Sequence, residues 1–436
     1  MHAELSYLFR HALLRDAAVQ LHLPGDRARL HALAFAVLED LCGGRPPEPP
    51  ELHPTEPGPP APHAADPFAE ELAEHARLAG DQAPGPLDPA RRIYLRRAAE
   101  NLERGFQNQR CERVWREFSG LATGIEKGIA LRRAATAAQR SGRMRSAEEL
   151  FERALAAVRE VGSALLESIV LADLGMLYAH TAKEPQAMHL YDQALSGFRR
   201  AGSRRHEGVL LGAMGRLLLN LGRFDEAEIL VRQALAIHRD LGNRRSEGLD
   251  LANLAQLLEH KGHVDAAVAA FDEALAIHRD MGNVVFEGIA LGNLANLYSR
   301  NGRMAEAERA WERALAIHRQ TADTRNEGTI LGNLAWLYSV TGRLPEALRG
   351  FEISLEIHRS MGNLRAEGSI SCQAAPVLIR LGRLEEAREA WRSGSSILRD
   401  CRSLEELAAQ TAQMRTACHE AGLEPFPAPE EPRPAR

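Results

Sequence analysis

A chain of 436 residues is long enough for two or more domains. Apolar residues make up 45% and charged residues 26%, an ordinary soluble mixture, and a net charge of −5 argues against a broad nucleic-acid or anionic-membrane surface. Five scattered cysteines (Cys42, Cys111, Cys372, Cys401, Cys418), none in a CxxC pair, fit a reducing cytoplasm, and no run of about eighteen apolar residues marks a membrane-spanning helix. The first segment, 1–44, is helical by pattern, and Glu4 and Arg10 interrupt the apolar core that a signal peptide needs. Residues 45–66 ("RPPEPPELHPTEPGPPAPHAAD") are Pro-rich and read as a semi-extended linker. Residues 67–122 are helical again, with a degenerate repeat over 89–118. Residues 123–402 hold seven units of forty residues; 403–421 read as a capping helix and 422–436 as a Pro/Glu-rich disordered tail.

The forty-residue period holds without slippage. Gly142, Gly222, Gly262, Gly302, Gly342 and Gly382 share one column, from which only Ala182 departs. Ala147, Ala187, Ala227, Ala267, Ala307, Ala347 and Ala387 share a second. A third is bulky: Phe151, Tyr191, Val231, Phe271, Trp311, Phe351 and Trp391.

Each unit carries two amphipathic helical patterns. In 243–282 the first stripe is Leu251, Leu254, Ala255 and Leu258, and the second is Ala267, Phe271, Ala274, Leu275 and His278. Small Ala267 stands one turn before bulky Phe271, so the partner helix approaches closely at one point and is filled at the next. Gly262 separates the two stripes as a helix-ending glycine should. Ser163, Ser203, Asn243, Asn283, Asp323 and Asn363 suit the N-cap of the following unit, and Glu167 through Glu367, every forty residues, suit the positive end of its helix dipole. The last unit departs from the rest. Pro376 falls inside its first helix and serines replace column leucines at Ser371 and Ser395, which predicts a kinked, weaker end.

This pattern resembles the tetratricopeptide repeat. Leu254 and Ala255 stand at its L-G/A step, Tyr298 and Tyr338 at its tyrosine, and Gly302, Ala307, Trp311 and Ala314 complete the match. The unit is forty residues rather than about thirty-four, and in this it is similar to the repeats of kinesin light chains and of the G-protein-signalling modulators. The resemblance implies an all-α, right-handed α-solenoid of helix pairs. Residues 7–39 resemble the helical segment that follows the nucleotide-binding core of bacterial STAND-type signalling ATPases, on Phe9, Arg10, His11, Ala12, Leu13, Ala17 and Ala18, with Val19 departing from the usual tyrosine.

The chemistry of catalysis is missing. A P-loop needs a lysine after glycine, and the three lysines, Lys127, Lys183 and Lys261, do not follow one. No GxSxG, HExxH or strand-borne GxGxxG is present. "HKGH" (260–263) has no third ligand beside it. His238, His278, His318 and His358 recur every forty residues near the end of the second helix. Zinc needs nitrogens about 2 Å from one ion, whereas equivalent helices stand roughly 10 Å apart. The column is therefore read as half-buried packing histidines that donate to the last helix carbonyls, with no metal and no cofactor.

A polar column is more informative. Asn253, Asn293 and Asn333 fall on three successive first helices, and Gln256, Asn296 and Trp336 follow three residues on. In the resembled families the first helices line a concave groove, and asparagines at the matching position hold the backbone of an extended peptide. An amide suits this, offering both donor and acceptor. The rival is that these asparagines only bridge neighbouring helices. Arg216, His260, Arg300 and Arg380 flank the groove and would suit an acidic partner. A chaperone-tail carboxylate clamp is not expected, because Leu249, Ile289 and Thr329 stand at one of its lysine positions and Ala252, Gly292 and Gly332 at the other.

The reading is a non-catalytic, cytoplasmic scaffold that binds protein or peptide in its groove, as a sensing or assembly arm in bacterial signalling, without nucleic acid or membrane. Two rivals stand beside it: a self-association module forming a homo-oligomer, and the C-terminal regulatory part of a split signalling ATPase or kinase system.

Overall fold

The computed structural model describes residues 24–52, 61–80 and 86–427. Among them every regular element is helical, with nineteen α-helices, one 3-10 turn and no strand, so the fold is all-α. The N-terminal helices are α1 (Pro24–Leu41), α2 (Ala69–Ala79), α3 (Asp88–Arg104) and α4 (Asn108–Leu121), with the 3-10 turn at Asp66–Phe68. Seven pairs follow: α5 (Gly124–Arg140) and α6 (Met144–Val161), α7 (Ala164–His180) and α8 (Glu184–Arg200), α9 (Arg204–Asn220) and α10 (Phe224–Asp240), α11 (Arg244–His260) and α12 (Val264–Asp280). The last three are α13 (Val284–Arg300) and α14 (Met304–Gln320), α15 (Thr324–Val340) and α16 (Leu344–Ser360), and α17 (Leu364–Arg380) and α18 (Leu384–Asp400). A final helix, α19 (Leu404–Glu420), closes the series.

The chain divides into two compact units, Met1–Leu217 and Leu218–Arg436, with the division near the end of α9. In the first unit each helix from α1 to α7 packs on the next. Its N-terminal part is an irregular core around Phe35, Tyr94, Trp115 and Phe118. The Tyr94 hydroxyl, wholly buried, donates to Glu39 Oε1 at 2.8 Å and so ties α3 to α1. Arg97, also buried, donates to Asp66 Oδ1 at 2.6 Å and to the Ala61 carbonyl at 2.7 Å. The described ends of the Pro-rich stretch are thus anchored, with Leu52 and Ala65 in the core; residues 53–60 lie outside the described residues. So do Phe9 through Val19, which carry the resemblance to signalling ATPases.

The repeat helices explain their columns. All seven column alanines are fully buried, and the bulky column beside them is buried almost as completely. Ala267→Leu is therefore expected to cost about 1–3 kcal/mol by overpacking, read as a lower urea midpoint by circular dichroism. Within a pair the turn is closed by a left-handed residue: Gly262 has φ 79°, and the His263 N–H reaches back to the Leu258 carbonyl at 2.8 Å. Ala182 adopts the same region at φ 55° without the freedom of glycine.

The caps between units are mixed. Asn243, Asp323 and Asn363 accept from the backbone N–H three residues on, whereas Ser163 and Asn283 do not. The glutamates of the first turn do more than meet the helix dipole. Each accepts from the arginine eight residues before it, in the last turn of the preceding helix: Arg159 to Glu167, Arg199 to Glu207, Arg239 to Glu247, Arg279 to Glu287, Arg319 to Glu327 and Arg359 to Glu367, at 2.6–3.0 Å. Both partners sit at the favourable end of their dipoles. The arginines are about half exposed, so each pair contributes about 0–1 kcal/mol.

In the second unit each helix from α10 to α18 packs on the next, and α19 lies against both α17 and α18. The cap extends past that helix. Phe426 is buried, Arg388 lies over its ring at 5.5 Å, and Trp391 Nε1 donates to the Pro427 carbonyl at 3.3 Å. Packed chain therefore continues to 427; residues 428–436 lie outside the described residues. Pro376 sits inside α17, yet the helix runs unbroken from Leu364 to Arg380.

Candidate functional site

The forty-residue spacing stands the first helices of the second unit side by side. Arg300 of α13 meets Glu259 of α11 with Nε–Oε1 2.8 Å. Asn333 of α15 donates through Nδ2 to Asn296 Oδ1 of α13 at 3.2 Å. Arg380 of α17 donates through Nη1 to the Ser339 carbonyl of α15 at 2.9 Å. Asn253, Asn293 and Asn333 therefore occupy one row across α11, α13 and α15, each half-buried.

The row is not uniform. Among the described residues nothing hydrogen-bonds the side chains of Asn253, Asn293 or Gln256. Each of these amides keeps its donors and its acceptor free. Asn296 is committed: its Oδ1 accepts from Trp311 Nε1 of α14 at 3.2 Å as well as from Asn333. That tie satisfies the indole N–H of a buried tryptophan. The bridging alternative thus describes Asn296 and one arm of Asn333, but not Asn253 or Asn293. Trp336 is half-buried and packs against the core of its neighbours.

Of the flanking cations, Arg300 and Arg380 are taken up as just described. His260 stacks on Phe224 of α10, ring centroids 4.6 Å apart. Arg216 is exposed on α9 in the first unit and is not placed with the others. The forty-residue spacing also puts Arg245, Arg325 and Arg365 in one column at the start of the first helices, interrupted by exposed Val285. Arg245 lies over the Phe286 ring at 5.4 Å, while Arg325 has no carboxylate partner among the described residues. Leu249 and Ile289 stand one turn before the free asparagines, so the row offers apolar contact beside amide hydrogen bonding.

The histidine column is deeper than half-buried: His238, His278, His318 and His358 are 1–2% exposed. The rings fill space left by glycines of the first helix. A Cβ at Gly248 would stand 2.7 Å from the His278 ring. In His238, His318 and His358 the Nδ1 atom faces the cap of the next unit, whereas His278 Nδ1 has no hydrogen-bond partner among the described residues. Asn243 Nδ2 is 3.3 Å from His238 Nδ1, Asn363 Nδ2 is 3.2 Å from His358 Nδ1, and Asp323 Oδ2 is 3.3 Å from His318 Nδ1. Burial, and secondarily Arg325, holds His358 below the usual imidazole range; burial does the same for His278. These are packing groups, and His238, His318 and His358 knit one unit to the next. Among the described residues no three His, Cys, Asp or Glu side chains gather as a metal site requires, and no helix is long and apolar enough to cross a membrane.

The Tetratricopeptide repeat family matches residues 126–200, 207–280 and 286–360, and a second profile of the same description matches 373–393. Among the curated proteins none matches the chain. Three solved structures share the fold at low identity. A signal transduction ATPase with numerous domains from Pyrococcus horikoshii, with a tetratricopeptide repeat sensor, is 15% identical over 78% of this chain with TM-score 0.56; the match spans only 55% of that protein. The apo quorum sensor NprR from B. thuringiensis is 14% identical over 76% of this chain and 93% of its own, with TM-score 0.56. A Rap protein complexed with competence and sporulation factor is 13% identical over 74% of this chain and 96% of its own, with TM-score 0.52. With three tandem matches spanning over half its length, and helix pairs recurring every forty residues, this chain belongs to the tetratricopeptide repeat family.

Proposed function

We propose that the chain is a non-catalytic, cytoplasmic peptide- or protein-binding array whose ligand lies along the first helices of the second unit. The observation that carries this reading is the pair Asn253 and Asn293: half-buried amides on neighbouring helices, without a hydrogen-bond partner among the described residues. Leaving partly desolvated donors and acceptors unmade costs free energy, roughly 1–3 kcal/mol for a fully buried group. Each amide can give and accept one hydrogen bond to a peptide unit, and Asn333 continues the row with its remaining donor. Arg245, Arg325 and Arg365 set a basic margin along the same helices, which suits an acidic ligand. The similar folds fit this use: they include an ATPase with a tetratricopeptide repeat sensor, a quorum sensor and a Rap protein complexed with competence and sporulation factor. We place the chain accordingly among sensing or assembly arms of bacterial signalling.

The test is a pull-down comparing the wild type with Asn253→Ala/Asn293→Ala/Asn333→Ala. Truncated hot-spot contacts typically cost 1 kcal/mol or more each, so the triple variant should lose partners that the wild type retains, at unchanged helicity. Identical captured partners with the fold intact would remove the groove reading.

A further inference from the structure

The row of amides leads into a pocket of about 330 Å3 at the C-terminal end of the second unit. Thr329 and Asn333 of α15 form one wall, Arg365, Ser369 and Gln373 of α17 the other, and Glu406 of α19 closes it. Gly332 and Ile370 complete the lining.

The pocket holds more free donors than acceptors. Gln373 Nε2 donates to Ser369 Oγ at 3.1 Å, so the Ser369 hydroxyl proton remains free to donate. Asn333 uses Nδ2 once, toward Asn296, and keeps its second N–H. Arg365 spends Nε on Glu406 Oε2 at 3.0 Å, leaving further guanidinium donors. Arg325, which acts electrostatically on the pocket-lining His358, has no carboxylate of its own among the described residues. The Arg365 guanidinium and several neutral donors thus line a pocket to which the described residues supply one carboxylate, and that carboxylate belongs to the capping helix. Arg365 is 70% exposed and Glu406 26%, so the pair is a solvated one that a better acceptor can displace.

We propose that this pocket is a carboxylate subsite for an acidic ligand, and that Glu406 occupies it when no ligand is bound. This rests on the groove reading above, which it deepens by naming the chemistry at one end of the groove. A ligand carboxylate would take Arg365 from Glu406 and gain Ser369 and Asn333 as further donors. Charge-assisted bonds of this kind are about twice as strong as neutral ones. The capping helix then competes with the ligand, and loosening its contact favours binding.

The experiment uses the full-length chain and fluorescein-labelled hexaglutamate with an amidated C-terminus. Glu406→Gln removes the competing charge and keeps the side chain's shape. It should tighten hexaglutamate binding about threefold to fivefold at low salt, a factor set by an exposed ion pair, and added salt should shrink the gain. Arg365→Ala should bind more weakly, and Arg365→Ala/Glu406→Gln should match Arg365→Ala alone. A hexaserine peptide with a free C-terminus separates a terminal from a side-chain carboxylate: a gain confined to it would assign the site to a chain terminus. No tightening in Glu406→Gln, a gain that survives Arg365→Ala, or an equal gain for hexaglutamine would each overturn the proposal. Because Glu406→Gln leaves the asparagine row intact, the hexaglutamate result can fail while the asparagine pull-down stands, and Asn253→Ala/Asn293→Ala, which spares the pocket, separates the converse.

Discussion

Gly394→Val is expected to separate the last helix pair and cost the second unit about 3 kcal/mol. A Cβ at this position would lie 2.7 Å from the Gly368 carbonyl oxygen, 2.8 Å from Cys372 Sγ and 2.9 Å from the Cys372 nitrogen. Two of these atoms are backbone and cannot rotate away. The approach is mutual, since a Cβ at Gly368 would meet the Gly394 carbonyl at 3.0 Å. Helix propensity works the other way, because glycine inside a helix costs up to about 1 kcal/mol; the clash is larger and decides the sign. The buried serines belong to the same arrangement. Ser371 and Ser395 are 2% and 0% exposed, and the Ser395 hydroxyl donates to the Trp391 carbonyl of its own helix at 2.6 Å. Small residues let α17 and α18 meet backbone to backbone, where the other units interpose larger side chains. In a repeat array the loss falls first on the neighbouring interfaces. Fluorescence of Trp391, buried in α18, should therefore change at lower urea than the helical signal as a whole. Ser393→Ala, on the exposed side of the same helix, is the control. An unchanged midpoint for Gly394→Val would show that the close approach carries no stability.

Much of this architecture is legible in the sequence because one period repeats through seven units. The alanine column announced close contact, and each member proves fully buried. What stayed hidden depends on pairing across helix breaks. Arg239 and Glu247 are eight residues apart, a spacing with no meaning within either helix, so the ladder they belong to leaves no amphipathic signature. His358 and Asn363 are five apart across a turn, and for the same reason the histidines seemed to face their own carbonyls. Composition misled at the Pro-rich stretch, where Leu52 and Ala65 anchor a segment whose average is polar. Pro376 and the serines of the last unit read as weakness when taken singly, whereas the close approach of Gly394 to Gly368 and Cys372 shows a different packing. For the asparagine row, sequence gave position but not availability. Asn296 is engaged because Trp311 needs an acceptor, and no property of the asparagine itself reveals that.

Asp250→Leu is expected to stabilise the second unit, and by more as the pH rises. Its column is otherwise apolar: Ala130, Val170, Leu210, Ala290, Ile330 and Ile370 are all buried, and Asp250 is itself 4% exposed. Oδ2 finds no hydrogen-bond partner, and the nearest base, His238 Nε2 on α10, is 3.7 Å away. The neighbouring charges are occupied: Glu247 on the same helix takes Arg239 and Arg244. Burial pushes the Asp250 carboxyl up to about 8 from its ordinary value of 3.8. The folded state therefore binds more protons than the unfolded state between about pH 4 and pH 8. Stability from this group is fully present below about pH 4 and is lost as pH rises toward 8, at up to about 1.4 kcal/mol per pH unit. Replacing a buried charge by a well-packed apolar group typically gains about 1–4 kcal/mol. The advantage of Asp250→Leu over wild type in urea should thus be largest near pH 8 and small near pH 4, with Asp250→Asn sharing its flatter pH profile. An advantage constant across that range would mean that Asp250 is not the titrating group. Asp250 stands one turn before Asn253 on α11, so its position joins stability to the proposed binding row. If Asp250→Leu gains stability but loses the partners that wild type captures, the buried carboxyl serves the groove; if both are kept, its cost is borne by the fold alone.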